Sequence, residues 1–179
     1  MKTPQEIERF LKGRKNEIIK LDLNGSLNPQ YGFINIDYVD AKNVDIVFDL
    51  QKYPWPLPKE IATLIMAGQV VSHINRENFG FIKFMDECWK VLKYDGQLMI
   101  STPYAGTQAF WSDPANVNGC TENTWPYFDP LAKNVVGTPF NLYTKYKPKP
   151  WKIEKCFFQP DGIIEVLLSK RREDSSYLK

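Results

Sequence analysis

Asp37 closes the run GFINID (32–37), in which apolar residues lead to a terminal carboxylate. An acid at the tip of a strand can accept hydrogen bonds from both hydroxyls of a ribose, a fixed pair that a neutral side chain imitates less well. Just upstream, the run EIIKLDL (17–23) breaks at Asn24-Gly25-Ser26, a turn with a single glycine. A turn followed by a strand and then an acid suits a nucleotide-like cofactor, although such turns usually carry more glycines. Asparagine is the non-glycine residue that best tolerates left-handed angles, so Asn24 and Asn28 can keep the shape of the turn. The bland readings are a plain polar turn and an acid facing water.

His73 is the only histidine of the chain. Near neutral pH an imidazole at a cleft edge can take a proton from a hydroxyl or an amine; the alternative is a histidine hydrogen-bonded at a helix start. One histidine and three scattered cysteines (Cys88, Cys120 and Cys156) give no metal-ligand spacing and no disulfide framework. Reduced, buried thiols in a cytoplasmic protein are expected, and no metal.

These residues need a scaffold. Thr3-Pro4-Gln5-Glu6 reads as a capped helix start, with Ile7, Phe10 and Leu11 at helical spacing and an end near Gly13. Strands are expected at 17–23, 32–37, 44–50, 62–67 and 96–102, and a helix over 76–93. The stretch 103–150 is irregular, with a short helix from Thr121. Two longer strands, 151–159 and 162–171, meet at Pro160-Asp161 closely enough for an antiparallel hairpin. This order implies an α/β sheet, mostly parallel with one reversed strand. One feature conflicts: about eight residues link the first two strands, whereas a parallel crossover usually takes a dozen or more.

The 179 residues suit one domain, taken as 1–171 with a tail at 172–179. A 43% hydrophobic and 14% aromatic composition supports a real core, and a net charge of +2 gives no broad basic surplus for nucleic acid. No run approaches a membrane span, and the charged, amphipathic N-terminus is no signal peptide. The lysines of KYKPKPWK (145–152) read as a solvated loop.

The ordered series LDLNGS, GFINID, VDIVFDL, PWPLP, QVVSHI, KVLKYDGQLMISTPY and DPANV resembles the class I S-adenosylmethionine-dependent methyltransferases over roughly residues 20–130. It is most similar to a small subgroup in which the glycine loop runs almost directly into the second strand, so the resemblance implies a short first crossover. It also implies a Rossmann-like seven-stranded sheet, mostly parallel with the last strand reversed and helices on both faces, and S-adenosylmethionine as cofactor. On this resemblance Asn24, Gly25, Ser26, Asp37, Asp49, Leu50 and Gln69 hold the cofactor, with Asp49 and the Leu50 amide near its adenine. His73 is the catalytic candidate, and Tyr104, Trp111, Asp113 and Asn116 shape the acceptor pocket. Pro54, Trp55 and Pro56 shape and pack their loop. The chain departs from the family where Asn24, Ser26 and Asn28 replace glycines, Gln69 and Asn116 replace histidines, and Ser72 replaces a glutamate.

Three function classes remain open on this reading. One is a methyltransferase acting on a small-molecule, sugar or nucleotide-like acceptor. A second is a methyltransferase-like module that has lost its cofactor and binds or scaffolds. The third is another α/β nucleotide binder, although the turn matches no phosphate-cradling pattern.

Overall fold

The structure is a computed structural model that describes residues 2–14, 17–25, 28–132 and 142–178. Among these residues the chain forms one seven-stranded sheet, in the order β3-β2-β1-β4-β5-β7-β6. The strands are β1 (Lys20–Leu23), β2 (Ile34–Asp37), β3 (Ile46–Val47), β4 (Ala62–Gly68), β5 (Leu92–Pro103), β6 (Trp151–Phe158) and β7 (Ile163–Lys170). The first five pair in parallel, and β7 runs antiparallel to both β5 and β6. The mixed sheet with a reversed closing strand is therefore as expected.

Why this order forms can be read strand by strand. In β1, Leu21 and Leu23 are fully buried on one face, while Asp22 points to the other. Their partners in register, Ile34 and Ile36 on β2 and Ile65 and Ala67 on β4, continue the buried face. It runs on through Leu98 and Ile100 of β5 to Leu168 and Val166 of β7. β7 alternates strictly between buried and half-buried residues, the pattern of a sheet with one dry face.

The helices follow local chemistry. α1 (Pro4–Lys12) starts on a complete capping box: the Glu6 amide donates to Thr3 Oγ1, and the Thr3 amide donates to Glu6 Oε2. α2 (Gly80–Val91) buries Phe84, Met85, Cys88 and Trp89. It begins four residues later than the sequence suggests, because Asn78 and Phe79 take left-handed angles and stop a helix there. At Gly80 a Cβ would lie 2.0 Å from the Asn75 carbonyl oxygen, so only glycine fits that approach. The irregular stretch holds α3 (Gln108–Trp111) and α4 (Leu142–Tyr146), and a single 3-10 turn at Trp125–Tyr127 stands where a helix from Thr121 was expected.

Trp125 and Phe128 are core residues, as is Trp55, which donates its indole N–H to the Leu50 carbonyl at 2.9 Å and packs edge-on to Phe48 and Phe84. Of the lysine-rich loop, Lys145 and Lys147 are exposed, whereas Lys149 pairs with Glu173. A 3-10 turn at Ser175–Leu178 brings Tyr177 against Tyr143. Cys88 and Cys120 are buried free thiols, and burial pushes Cys120 up to about 12, so neither is a reactive nucleophile. No helix of the described residues is long and apolar enough to cross a membrane.

Asp86 on α2 accepts the Lys149 amide at 2.7 Å and so fastens the 142–150 segment to the helix. Burial pushes its carboxyl up to about 6, although the Lys149 amide and charge pull the other way. The folded chain then keeps a proton that the unfolded chain releases at about pH 4, so this group makes stability fall as pH rises from about 4 to about 6. Asp86→Asn removes that slope. Urea unfolding should find the variant close to wild type at about pH 4 and more stable by up to about 3 kcal/mol near neutrality.

Candidate functional site

The carboxyl ends of β1 to β4 and the segments that follow them enclose a crevice of about 80 Å³. Asn24, Asp37, Tyr38, Asp49, Leu50, Gln69 and His73 line it, with Gln51, Val70 and Ile74.

These side chains are set by strand ends and by the segments that follow them. Asn24 follows β1 with φ 72° while its amide donates to the Ile36 carbonyl at 2.8 Å, which ties the turn to β2. Gly25 lies directly over the sheet. A Cβ there would stand 2.8 Å from Asn35 Oδ1 and 2.9 Å from Asp22 Oδ2, so no side chain is accommodated. Beneath it lie Asp22 and Asn35, both buried, and Asn35 Oδ1 has no hydrogen-bond donor among the described residues. Burial pushes the Asp22 carboxyl above the usual range, with the nearby Asp37 charge adding to it and the Gln30 amide opposing.

Asp37 is only 1% exposed, and its Oδ1 accepts the Val39 amide at 3.0 Å. Asp49 caps its own turn by accepting the Gln51 amide at 2.9 Å, while Gln51 Oε1 accepts the Asn75 amide at 2.8 Å. Gln69 leaves β4 with φ 57°, a second left-handed residue at the crevice wall.

The fourth wall is joined to the loop after β5. His73 Nε2 lies 3.2 Å from Asp113 Oδ2, with both side chains partly open to solvent. Asn118 holds this arrangement. Its Nδ2 donates to the Val71 and Ile74 carbonyls on either side of His73, its Oδ1 accepts from Arg76 Nε at 3.2 Å, and its amide donates to the Ser72 carbonyl.

Comparison with known proteins yields no matching family model and no matching curated protein. Solved structures do match. A SAM-dependent methyltransferase from Archaeoglobus fulgidus superposes with a TM-score of 0.57 at 14% identity, over 93% of this chain and 92% of that one. One from Aquifex aeolicus gives 0.54 at 14% identity, over 94% and 98%. The chain has the class I S-adenosylmethionine-dependent methyltransferase fold. The [4+2]-cyclase SpnF also matches, with a TM-score of 0.50 at 11% identity over 90% of this chain and 78% of that one, so the methyltransferase fold is shared with other chemistry.

Within this methyltransferase fold the crevice lies where open α/β sheets take ligands. Of the residues singled out in the sequence, Asn24, Asp37, Asp49, Leu50, Gln69 and His73 come together in its lining. Gly25, in the turn itself, sits behind them, and Ser26 lies outside the described residues. Asp113 is brought to His73, and Trp111 is exposed on the same loop. Tyr104 and Asn116 are not part of the lining. The Tyr104 hydroxyl donates to Glu122 Oε2 at 2.9 Å, and Asn116 Nδ2 donates to the Phe110 carbonyl.

Sequence reasoning missed Tyr38, Asp22 and Asn118. Tyr38 could have been found as an aromatic directly after the strand-end acid, and Asp22 as the lone acid inside an apolar strand. Asn118 offers no local signal, because its partners lie more than forty residues away.

The crevice wall offers a strand-end carboxylate, Asp37, beside a left-handed turn, and a second carboxylate, Asp22, is buried behind Gly25 outside the lining. The volume is smaller than the roughly 300–1,000 Å³ of ordinary ligand sites. Tyr38, 71% exposed at the rim, is the lining side chain most open to solvent, while His73 is held by Asp113.

The turn makes a direct prediction. Asn24→Gly keeps the φ of 72° without strain and should leave stability within about 0.5 kcal/mol of wild type, whereas Asn24→Val should lose about 1–2 kcal/mol in thermal or urea unfolding.

Proposed function

We propose that the chain binds S-adenosylmethionine in the crevice at the ends of β1 to β4 and methylates a small acceptor held beside the loop after β5. The observation that carries this reading is Asp37, a buried carboxylate in the crevice wall beside a left-handed turn. When bound, the cofactor supplies an electrophilic methyl carbon that reacts by in-line displacement, so the protein chiefly aligns the acceptor and excludes water.

On this reading Asp37 holds the ribose hydroxyls. Asp49 and the Leu50 amide border the adenine end. An acceptor hydroxyl must lose a proton as it is methylated. His73 is the base for it, and Asp113, at 3.2 Å, orients the imidazole. A small molecule, sugar or nucleotide-like compound is the favoured acceptor, since no broad basic surplus is available for nucleic acid.

A second reading is a binding module that has lost the cofactor. The crevice of about 80 Å³ favours it.

Thermal melting with S-adenosylhomocysteine separates the two. A ligand at 100 times its dissociation constant stabilises by about 2.7 kcal/mol, a shift that Asp37→Ala should abolish. No shift at millimolar ligand supports the module. His73→Ala should keep the shift yet slow methyl transfer by about 10²–10⁴-fold, measured with methyl-labelled cofactor against a panel of small hydroxyl compounds. Loss of the shift in His73→Ala would put that residue on the cofactor instead.

A further inference from the structure

The sheet is asymmetric. One face of β4, β5 and β7 is buried and is continued on β6 by Trp151, while the other carries Met66, Met99, Leu167 and Phe157 under no other described segment. Met99 is 42% exposed and Phe157 44% exposed, and the surface forms an open groove of about 520 Å³. Parallel and mixed sheets of α/β proteins are normally covered on both faces, and contiguous apolar patches of this kind mark association surfaces.

The register of the last two strands says what fits there. Lys155 stands opposite Leu167, and Phe157 opposite Glu165, all four on the bare face. The block thus has opposite charges on one diagonal and apolar residues on the other. Neither Lys155 nor Glu165 makes an ion pair among the described residues, unlike the neighbouring Lys152 and Glu154, which pair at 2.8 Å. A surface with one unpaired charge of each sign around an apolar centre complements itself.

We propose that this face is the interface of a symmetric homodimer. A twofold axis lying in the interface along the Leu167–Phe157 diagonal brings each of these residues to its own image. It also brings Lys155 of either copy to Glu165 of the other, twice over. The two sheets then pack face to face with their strands crossing steeply, one of the two common arrangements of stacked sheets. Met66 and Met99 fill the contact beside the axis, where flexible thioethers adapt to a facing surface. This inference is independent of the reaction proposed for the crevice.

Sedimentation of the full chain across a wide concentration range tests it. Wild type should show a monomer–dimer equilibrium. Lys155→Glu alone and Glu165→Lys alone should each weaken it by about tenfold or more, through like charges facing twice across the axis. The double reversal should restore wild-type affinity, a rescue that a merely local role for either side chain would not give. Met99→Glu should leave only monomer with an unchanged circular dichroism spectrum. Were it to unfold, the charge-reversal series decides alone, since both of its sites lie on the solvent side of the sheet. A wild type that stays monomeric at the highest concentration, or a double reversal no tighter than the single variants, overturns the proposal.

Discussion

Ten residues carry the chain from the end of β1 to the start of β2, and the two strands run parallel. To begin β2 in register, the segment must travel back along the strand and step sideways by one strand spacing, about 4.8 Å. A helix of useful length does not fit into that span, so the chain has to turn at once. The turn is made by Asn24 in left-handed geometry and by Gly25 set flat on the sheet. What this leaves beneath it is polar, with Asp22 and Asn35 on the face that a crossover helix would otherwise cover with apolar side chains. The short return thus leaves a buried acid and amide behind the turn, next to the crevice wall.

From there the site is assembled by neighbouring strand ends. β2 delivers Asp37 and then Tyr38, the segment after β3 delivers Asp49, and β4 delivers Gln69 at its end and His73 one turn later. The parallel register sets these tips side by side, which is why residues far apart in sequence share one wall. The loop after β5 completes the arrangement through Asp113, and Asn118 clamps it to the backbone that carries His73. Two left-handed residues, Asn24 and Gln69, and the sterically closed Gly25 lie at this end of the sheet.

Much of this was legible in the sequence. The closing strands 151–159 and 162–171 were legible as an antiparallel hairpin, the Thr3–Glu6 spacing as a cap, and Asp37 as a carboxylate at the end of a strand. The helix start at Gly80 was not legible. It depends on two left-handed residues, Asn78 and Phe79, of which the phenylalanine is of a type that does not favour that conformation, and on a backbone approach visible only in three dimensions. The pairing of His73 with Asp113 was likewise hidden, because forty residues separate the partners and no periodicity links them. The departures from family pattern were visible as residue types but not as consequences. Asn24 proves able to replace a glycine, while Asn116 braces its own loop through the Phe110 carbonyl.

The central claim is that the Asp37 carboxylate grips a sugar diol in the crevice opened beside the Asn24–Gly25 turn. A crystal structure of the protein soaked with S-adenosylhomocysteine tests it most directly. The account predicts both ribose hydroxyls on the Asp37 carboxylate, with Tyr38 swung outward. A crevice that takes up no ligand at saturating concentration, or a ligand bound away from Asp37, would contradict it.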